Sequence, residues 1–421
     1  MKIINNKLRA YSLVILSGLF LLTSCNKDLE QFAPIPTPVY PSGSGVQATL
    51  AANPNYSNYA ALIARAGMTT TLNDLTKSYT VFATDNTGMN IFANVASGGA
   101  IPIPAPVATV LAFINSFPVP NAAGIVQYNT IGQKFTAASL GSAFPNYPLT
   151  SQIILDPNQP FVRMNIFPVR GTPYSYVNNL PLIATDMAAA NGLIHTSFTI
   201  AAPPTVTLKT LIATEATLSY FRAAVTRADS GAVGLSRFDS LMNYGVTNMT
   251  VLAPNDAAFQ TLIFGLVYAQ VFAATGSVAI ATAQANAAVA LGPAIFSTPA
   301  FYGAMPAATV KGIVAYHLLA SLTTSTTTPY QPNIRVFSNN IPGTAGFFIK
   351  TLVNGSIAVH PGVMAQSTYV GPATTGIAFR GYGTFPPGGT PYSGPAATTV
   401  TMDKLAVNGV YHIINSVLLP Q

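Results

Sequence analysis

The chain has no tryptophan, one cysteine and little charge: Asp, Glu, Lys and Arg make up 7% of it, whereas apolar residues make up 50%. A single cysteine excludes an internal disulfide, so any fold must be held by its core. There are four histidines. No His-Glu-x-x-His pair, cysteine ligand set or Asp/Asn-rich calcium loop surrounds them, so neither a metal nor a cofactor is expected. Gly-x-Ser-x-Gly is absent too, and Ser42-Gly43-Ser44-Gly45 belongs to a tether-like stretch. With no nucleophile or acid/base set, the sequence reads as a non-enzyme. Low charge with abundant Thr, Ser, Asn, Gly and Pro suggests uncharged polar loops over β-rich cores, and the apolar content argues against disorder throughout.

The formal charge of +7 points to nucleic acid only until its distribution is read. Lys2, Lys7 and Arg9 lie in an N-terminal leader, and 18 − 3 leaves 15 basic residues against 11 acidic, a net charge near +4. The remaining cations are scattered, and phosphate neutralisation needs them clustered, so no nucleic-acid partner is expected.

Residues 1–24 have a basic start and an apolar run from Tyr11 to Leu22. A run of about 12 residues suits a signal-peptide core and is short for a membrane span. Leu22-Thr23-Ser24-Cys25 follows, and it resembles the lipobox of bacterial lipoproteins. The resemblance implies cleavage before Cys25 and acylation there, an anchor that holds at roughly 0.8 kcal/mol per buried CH₂. Asn26-Lys27-Asp28-Leu29-Glu30 is similar to the short acidic signal of surface-exposed lipoproteins, which implies an outer-membrane address. Residues 25–46, with Pro34, Pro36, Pro38, Pro41 and then Ser42-Gly43-Ser44-Gly45, read as a semi-stiff tether with a flexible hinge.

Beyond the tether the chain writes the same pattern twice. Thr80-Val81-Phe82-Ala83 is answered by Thr250-Val251-Leu252-Ala253, Gly124-Ile125-Val126 by Gly312-Ile313-Val314, and Asp186 with Asn191-Gly192 and His195 by Asp403 with Asn408-Gly409 and His412. Thr80/Thr250, Gly124/Gly312 and Asp186/Asp403 differ by 170, 188 and 217, so the second copy is the first with material added between landmarks. This predicts two homologous domains, residues 47–202 and 205–421, joined at Pro203-Pro204. Each Asn-Gly predicts a hairpin whose two central residues take φ > 0.

These landmarks resemble the fasciclin family, in Thr250 to Phe259, in Tyr316-His317 and in the closing Asn408 to Pro420. The first copy departs from the family pattern, with Thr84, Met89 and Asn129 at its landmarks. The resemblance implies an α+β fold of two tandem fasciclin-like domains, each a mixed β-sheet wedge or sandwich packed with several short helices. It also associates Tyr316-His317 with adhesion.

Within the copies, helices are expected near Tyr56–Gly67 and Leu218–Arg227, and caps at Asp85 or Asn86 and at Asn255 or Asp256. From Ala257 to Val310 there is no charge, so Thr261–Ala281 reads either as a membrane span or as an Ala-rich helical insertion. Asn354-Gly355 predicts a further hairpin. Residues 370–395 read as a long loop carrying Tyr382 and Tyr392, with Tyr369 at its edge, a place for contacts with partners.

Four readings of single residues remain open. His195 and His412 are either framework imidazoles or surface groups, and Asp186 and Asp403 either turn carboxylates or contacts. Tyr316-His317 reads as half-buried packing or as an adhesive pair, and Tyr369, Tyr382 and Tyr392 as sugar-stacking rings or plain loop residues. The functional expectation is a lipid-anchored surface protein that works by adhesion or contact with an extracellular protein or matrix. The alternative is a glycan-binding accessory of a surface polysaccharide system.

Overall fold

A computed structural model describes residues 39–319, 334–383 and 389–421. Residues 1–38, which include the expected signal peptide, Cys25 and the prolines up to Pro38, lie outside the described residues. The folded body begins at Ser42.

The first module forms one sheet from nine strands: β1 Tyr79–Ala83, β2 Thr130–Ile131, β3 Gly141–Ser142, β4 Leu149–Ile154, β5 Arg163–Ile166, β6 Pro168–Arg170, β7 Tyr176–Val177, β8 Leu180–Ala189 and β9 Gly192–Ser197. Their spatial order is β3-β6-β7-β8-β9-β1-β2-β4-β5. The second module forms a seven-stranded sheet from β10 Met249–Pro254, β11 Leu318–Leu319, β12 Phe347–Ile349, β13 Val363–Val370, β14 Ala373–Arg380, β15 Ala397–Ala406 and β16 Gly409–Ile414. Short helices cover both sheets, and the class is α+β.

The register repeats residue for residue. β1 runs parallel to β9 with Tyr79 opposite Gly192, and β10 runs parallel to β16 with Met249 opposite Gly409. The pair Thr80–Ile131 of β1 and β2 returns as Thr250–Leu319 of β10 and β11. Even the irregularities return: Leu182–Ser197, Ala184–Thr196 and Met187–Ile194 reappear as Thr399–Ile414, Thr401–Ile413 and Lys404–Tyr411, with two register shifts in each ladder. The three sequence offsets are therefore the three structural offsets. β1, β9, β10 and β16 are buried along their whole length, as central strands covered on both faces must be, and buried polar side chains within them such as Thr80, His195, Thr250 and His412 are hydrogen-bonded to backbone carbonyls.

Helix Ser57–Arg65 and its counterpart Ser219–Ala228 lie where the spacing placed them. The caps are Asp85, whose side chain accepts from Gly88 N, and Asn255, which accepts from Ala258 N. The neighbouring Asn86 and Asp256 instead accept the amides of Asn58 and Tyr220, tying this helix start to the preceding helix.

Five expectations are corrected. Ala189 pairs with Gly192 and Ala406 with Gly409, so the two-residue turns are Ala190-Asn191 and Val407-Asn408, and none of these four residues has positive φ. Positive φ sits at Asp186 (61°) and Asp403 (57°), within the second bulge of each ladder. Asn354-Gly355 closes a 3-10 turn, Leu352–Gly355, and makes no hairpin, because the Asn354 side chain folds back to accept Thr351 N and donate to His360 O. The expected long loop contains a strand: β14 pairs with β13 across a tight turn at Gly371, burying Ile377 and Phe379 on one face. No single helix spans Thr261–Ala281. Helix Asp256–Thr275 stops at Gly276 (φ 65°) and Val278–Ala290 returns against it, although Asp256–Thr275 alone is long and apolar enough to cross a membrane. Finally, Ser42–Gly45 is no hinge: Ser44 O accepts Ala190 N, and Val46 N donates to the Asn191 side chain.

Candidate functional site

The twice-written motif builds the same polar lattice in both modules. Asn191 accepts Val46 N at 2.9 Å and donates to Leu72 O and Asp74 O, both at 3.0 Å. Asn408 accepts Leu208 N at 2.8 Å and donates to Met242 O and Tyr244 O at 2.9 and 3.0 Å. Each amide thus joins the first helix of its module to the segment leading into the central strand. The following glycine is required by close approach: a Cβ on Gly192 would collide with Tyr79 O, and one on Gly409 with Met249 O and Leu208.

The histidines complete the lattice. His195 Nδ1 accepts Asp186 N at 3.2 Å, and its Nε2 lies 2.9 Å from Phe135 O; His412 repeats this with Asp403 N at 3.3 Å and Val336 O at 2.9 Å. A ring that accepts at Nδ1 and faces a carbonyl at Nε2 is the neutral Nε2–H tautomer. Burial pulls the His195 pKa down, only partly opposed by the Phe135 carbonyl and Asp186. Asp186 accepts Ala137 N at 2.9 Å and Asp403 accepts Ser338 N at 2.8 Å. These eight residues form the framework of the two modules.

Tyr316 and His317 lie inside the second module, 0% and 1% exposed. The Tyr316 hydroxyl donates to Gly362 O at 2.6 Å and accepts Tyr382 N at 2.9 Å. His317 Nδ1 meets Ile313 O at 2.8 Å, and Nε2 accepts Leu418 N at 3.0 Å. Burial lowers its pKa to about 4. An adhesive role needs accessible atoms, and this pair presents none; it is packing. The same place in the first module is held by Tyr128 and Asn129, whose amide donates to Ile125 O and Ala201 O.

The three tyrosines do not assemble. Tyr382 and Tyr392 meet edge-on at 5.5 Å and pack against His360 and Phe348, while Tyr369 turns away, its hydroxyl donating to Ile341 O at 2.6 Å. The rings of the first two are engaged with one another, which leaves no shared flat platform of three.

Sequence reasoning missed the surface where the modules meet. Arg335 is 3% exposed, with Nε donating to Asn248 Oδ1 and Nη2 to Val407 O, both at 3.0 Å, and its guanidinium 4.7 Å above the Phe167 ring of the first module. Asn146 of the first module donates to Arg335 O and to Asn340 Oδ1, and Asn339 donates to Asn178 O. Phe167 packs on Phe337, Phe144 on Phe347, and the Tyr176 hydroxyl donates to Pro372 O. The available signal was that Arg335 is the only charged residue between Lys311 and Lys350. A lone charge in so apolar a stretch has to find neutral acceptors in the fold.

No family model and no curated protein matches this sequence. Among solved structures the chain is similar to a FAS1 domain pair from the insect cell adhesion molecule Fasciclin I. The identity is 12% and the TM-score 0.32, over 86% of this chain and 96% of that one.

Proposed function

We propose that this chain is a bacterial surface lipoprotein, anchored in the outer membrane through Cys25, whose two fasciclin-like modules work by adhesion or by contact with an extracellular protein or matrix, without turnover. The observation that carries the reading is the buried joint around Arg335, Phe167 and Phe337, through which two copies of one framework pack against each other. Two joined modules stay close to one another, so weak contacts on each can reinforce one another through effective concentration. The four imidazoles and the carboxylates of Asp186 and Asp403 are occupied by backbone partners.

The test is attachment of intact cells to a matrix or to one another, comparing the full chain with a chain lacking residues 42–421. Lost attachment is expected on deletion, and Cys25→Ser is expected to shed the protein into the medium. Unchanged attachment after deletion would overturn the contact reading, and retention of the Cys25→Ser chain would overturn the anchor. A glycan partner is the second reading. What favours it is a hydroxyl- and amide-lined cleft in the first module, and not the tyrosines.

A further inference from the structure

A cleft of about 600 Å³ opens on the first module, within the ~300–1,000 Å³ range of ligand sites. β2 and β4 pair at one position only, Ile131 with Ser151, and Gly132, Gln133 and Gln152 line the cleft beside that bridge. The Gln152 amide lies against Gly132, where a Cβ would sit 2.8 Å from its Nε2.

The chemistry of the walls is one-sided. Lys77 and Arg163 line the cleft, and no carboxylate does. Arg163 is held by neutral acceptors alone, Pro160 O at 3.0 Å and the Gln152 side-chain and backbone oxygens at 3.2 and 3.4 Å, so its charge is undiminished. Lys77 has Asp74 at 3.5 Å, an exposed pair of little worth. Between the cations stand Ser78, Gln133 and Thr150, exposed side chains that make no hydrogen bond to any described residue. Phe135 adds an apolar strip.

We propose that this cleft binds an acidic polysaccharide. Sugar carboxylates meet Lys77 and Arg163, the hydroxyls meet Ser78, Gln133 and Thr150, and a pyranose C–H face rests on Phe135. An extended acidic peptide fits less well, since it carries no hydroxyls to meet Ser78, Gln133 and Thr150 once its carboxylates are on Lys77 and Arg163. The inference deepens the contact reading by naming a ligand class for one module.

The test uses the full mature chain in detergent, titrated with a short oligogalacturonate, a neutral oligosaccharide of the same length and a poly-glutamate peptide. Binding is expected for the oligogalacturonate alone, weakening as salt is raised. Lys77→Glu and Arg163→Gln are each expected to lower the affinity about tenfold or more, the scale of one charge-assisted hydrogen bond. Because Arg163 also holds β4 to β5, Gln133→Ala provides a variant that leaves that contact intact, with a smaller loss expected. No binding, equal binding of the neutral sugar, stronger binding of the peptide, or variants that bind as the parent does would each overturn the proposal. Cell attachment by the Lys77→Glu chain separates the two readings: attachment that persists while the cleft fails leaves the contact reading standing.

Discussion

At the scale of single residues, the chain contains its own control for His317, because the first module places Asn129 at the same point of the same framework. Both side chains donate to the carbonyl four residues back, Ile313 O and Ile125 O. The difference lies on the other side, where His317 accepts Leu418 N and Asn129 donates to Ala201 O. His317 is neutral in the fold because burial lowers its pKa from 6.5 to about 4. An unfolded histidine binds its proton near pH 6.5, so between these values the unfolded state holds more protons and stability rises with pH. The contribution is therefore complete above about pH 6.5 and is lost as the pH falls towards about 4, by on the order of 3 kcal/mol. His195 moves in the same direction. His317→Asn is expected to cost stability at neutral pH by orphaning the Leu418 amide and to flatten the acid limb, which urea melts from pH 7 to 4 would read. An acid limb as steep as the parent's would show that another group titrates there. Asn408→Ala removes one acceptor and two donors at once and is expected to cost about 2–4 kcal/mol in the same melts.

At the scale of elements, the sequence made the repeat visible but misread its turn. Asn-Gly is commonly a statement about φ, yet here Asn191 and Asn408 are lattice residues, and Gly192 and Gly409 are small because a neighbouring carbonyl stands where a Cβ would go. The residues that adopt the left-handed conformation are Asp186 and Asp403, five places earlier, and no local pattern marks them, since the requirement comes from a bulge in a long-range ladder. Asn354-Gly355 shows the same limit from the other side: β12 ends at Ile349 and its antiparallel partner β13 begins only at Val363, so the dipeptide sits in a 3-10 turn within their long connection. The stretches Val81-Phe82-Ala83 of β1 and Val251-Leu252-Ala253 of β10 were legible because burial on both faces favours apolar residues; β14 was hidden by its Gly and Thr. Gly409→Ala is expected to cost about 1–3 kcal/mol through strand displacement, and more than Gly192→Ala, because Leu208 as well as a carbonyl stands in the way. Thermal melts of the two variants would rank them, and the reverse order would mean that the β16 hairpin relaxes more freely than its twin.

At the scale of the molecule, the question is whether two modules with separate sheets behave as one body, and Arg335 decides it. Its guanidinium is buried, bound to Asn248 and the Val407 carbonyl, capped by Phe167, and not within ion-pair distance of any carboxylate among the described residues. Burial pulls its pKa down to about 10, still far enough above neutrality that the charge persists. A buried charge answered only by neutral groups holds its surroundings to one geometry, because any slip leaves it unsolvated. The joint beside it is mostly aromatic, so its loss would expose Phe167 and Phe337 together. Arg335→Ala is expected to cost about 2–4 kcal/mol and to split a single calorimetric transition into two, the second module melting first, since it loses the contact between Arg335 and Val407 as well as the interface. Arg335→Met, which fills the space and removes the desolvated charge, is expected to keep one transition at little cost in stability. If the alanine variant still melts in one step with the parent's midpoint, the modules are coupled by the phenylalanines alone and the arginine is dispensable to the joint.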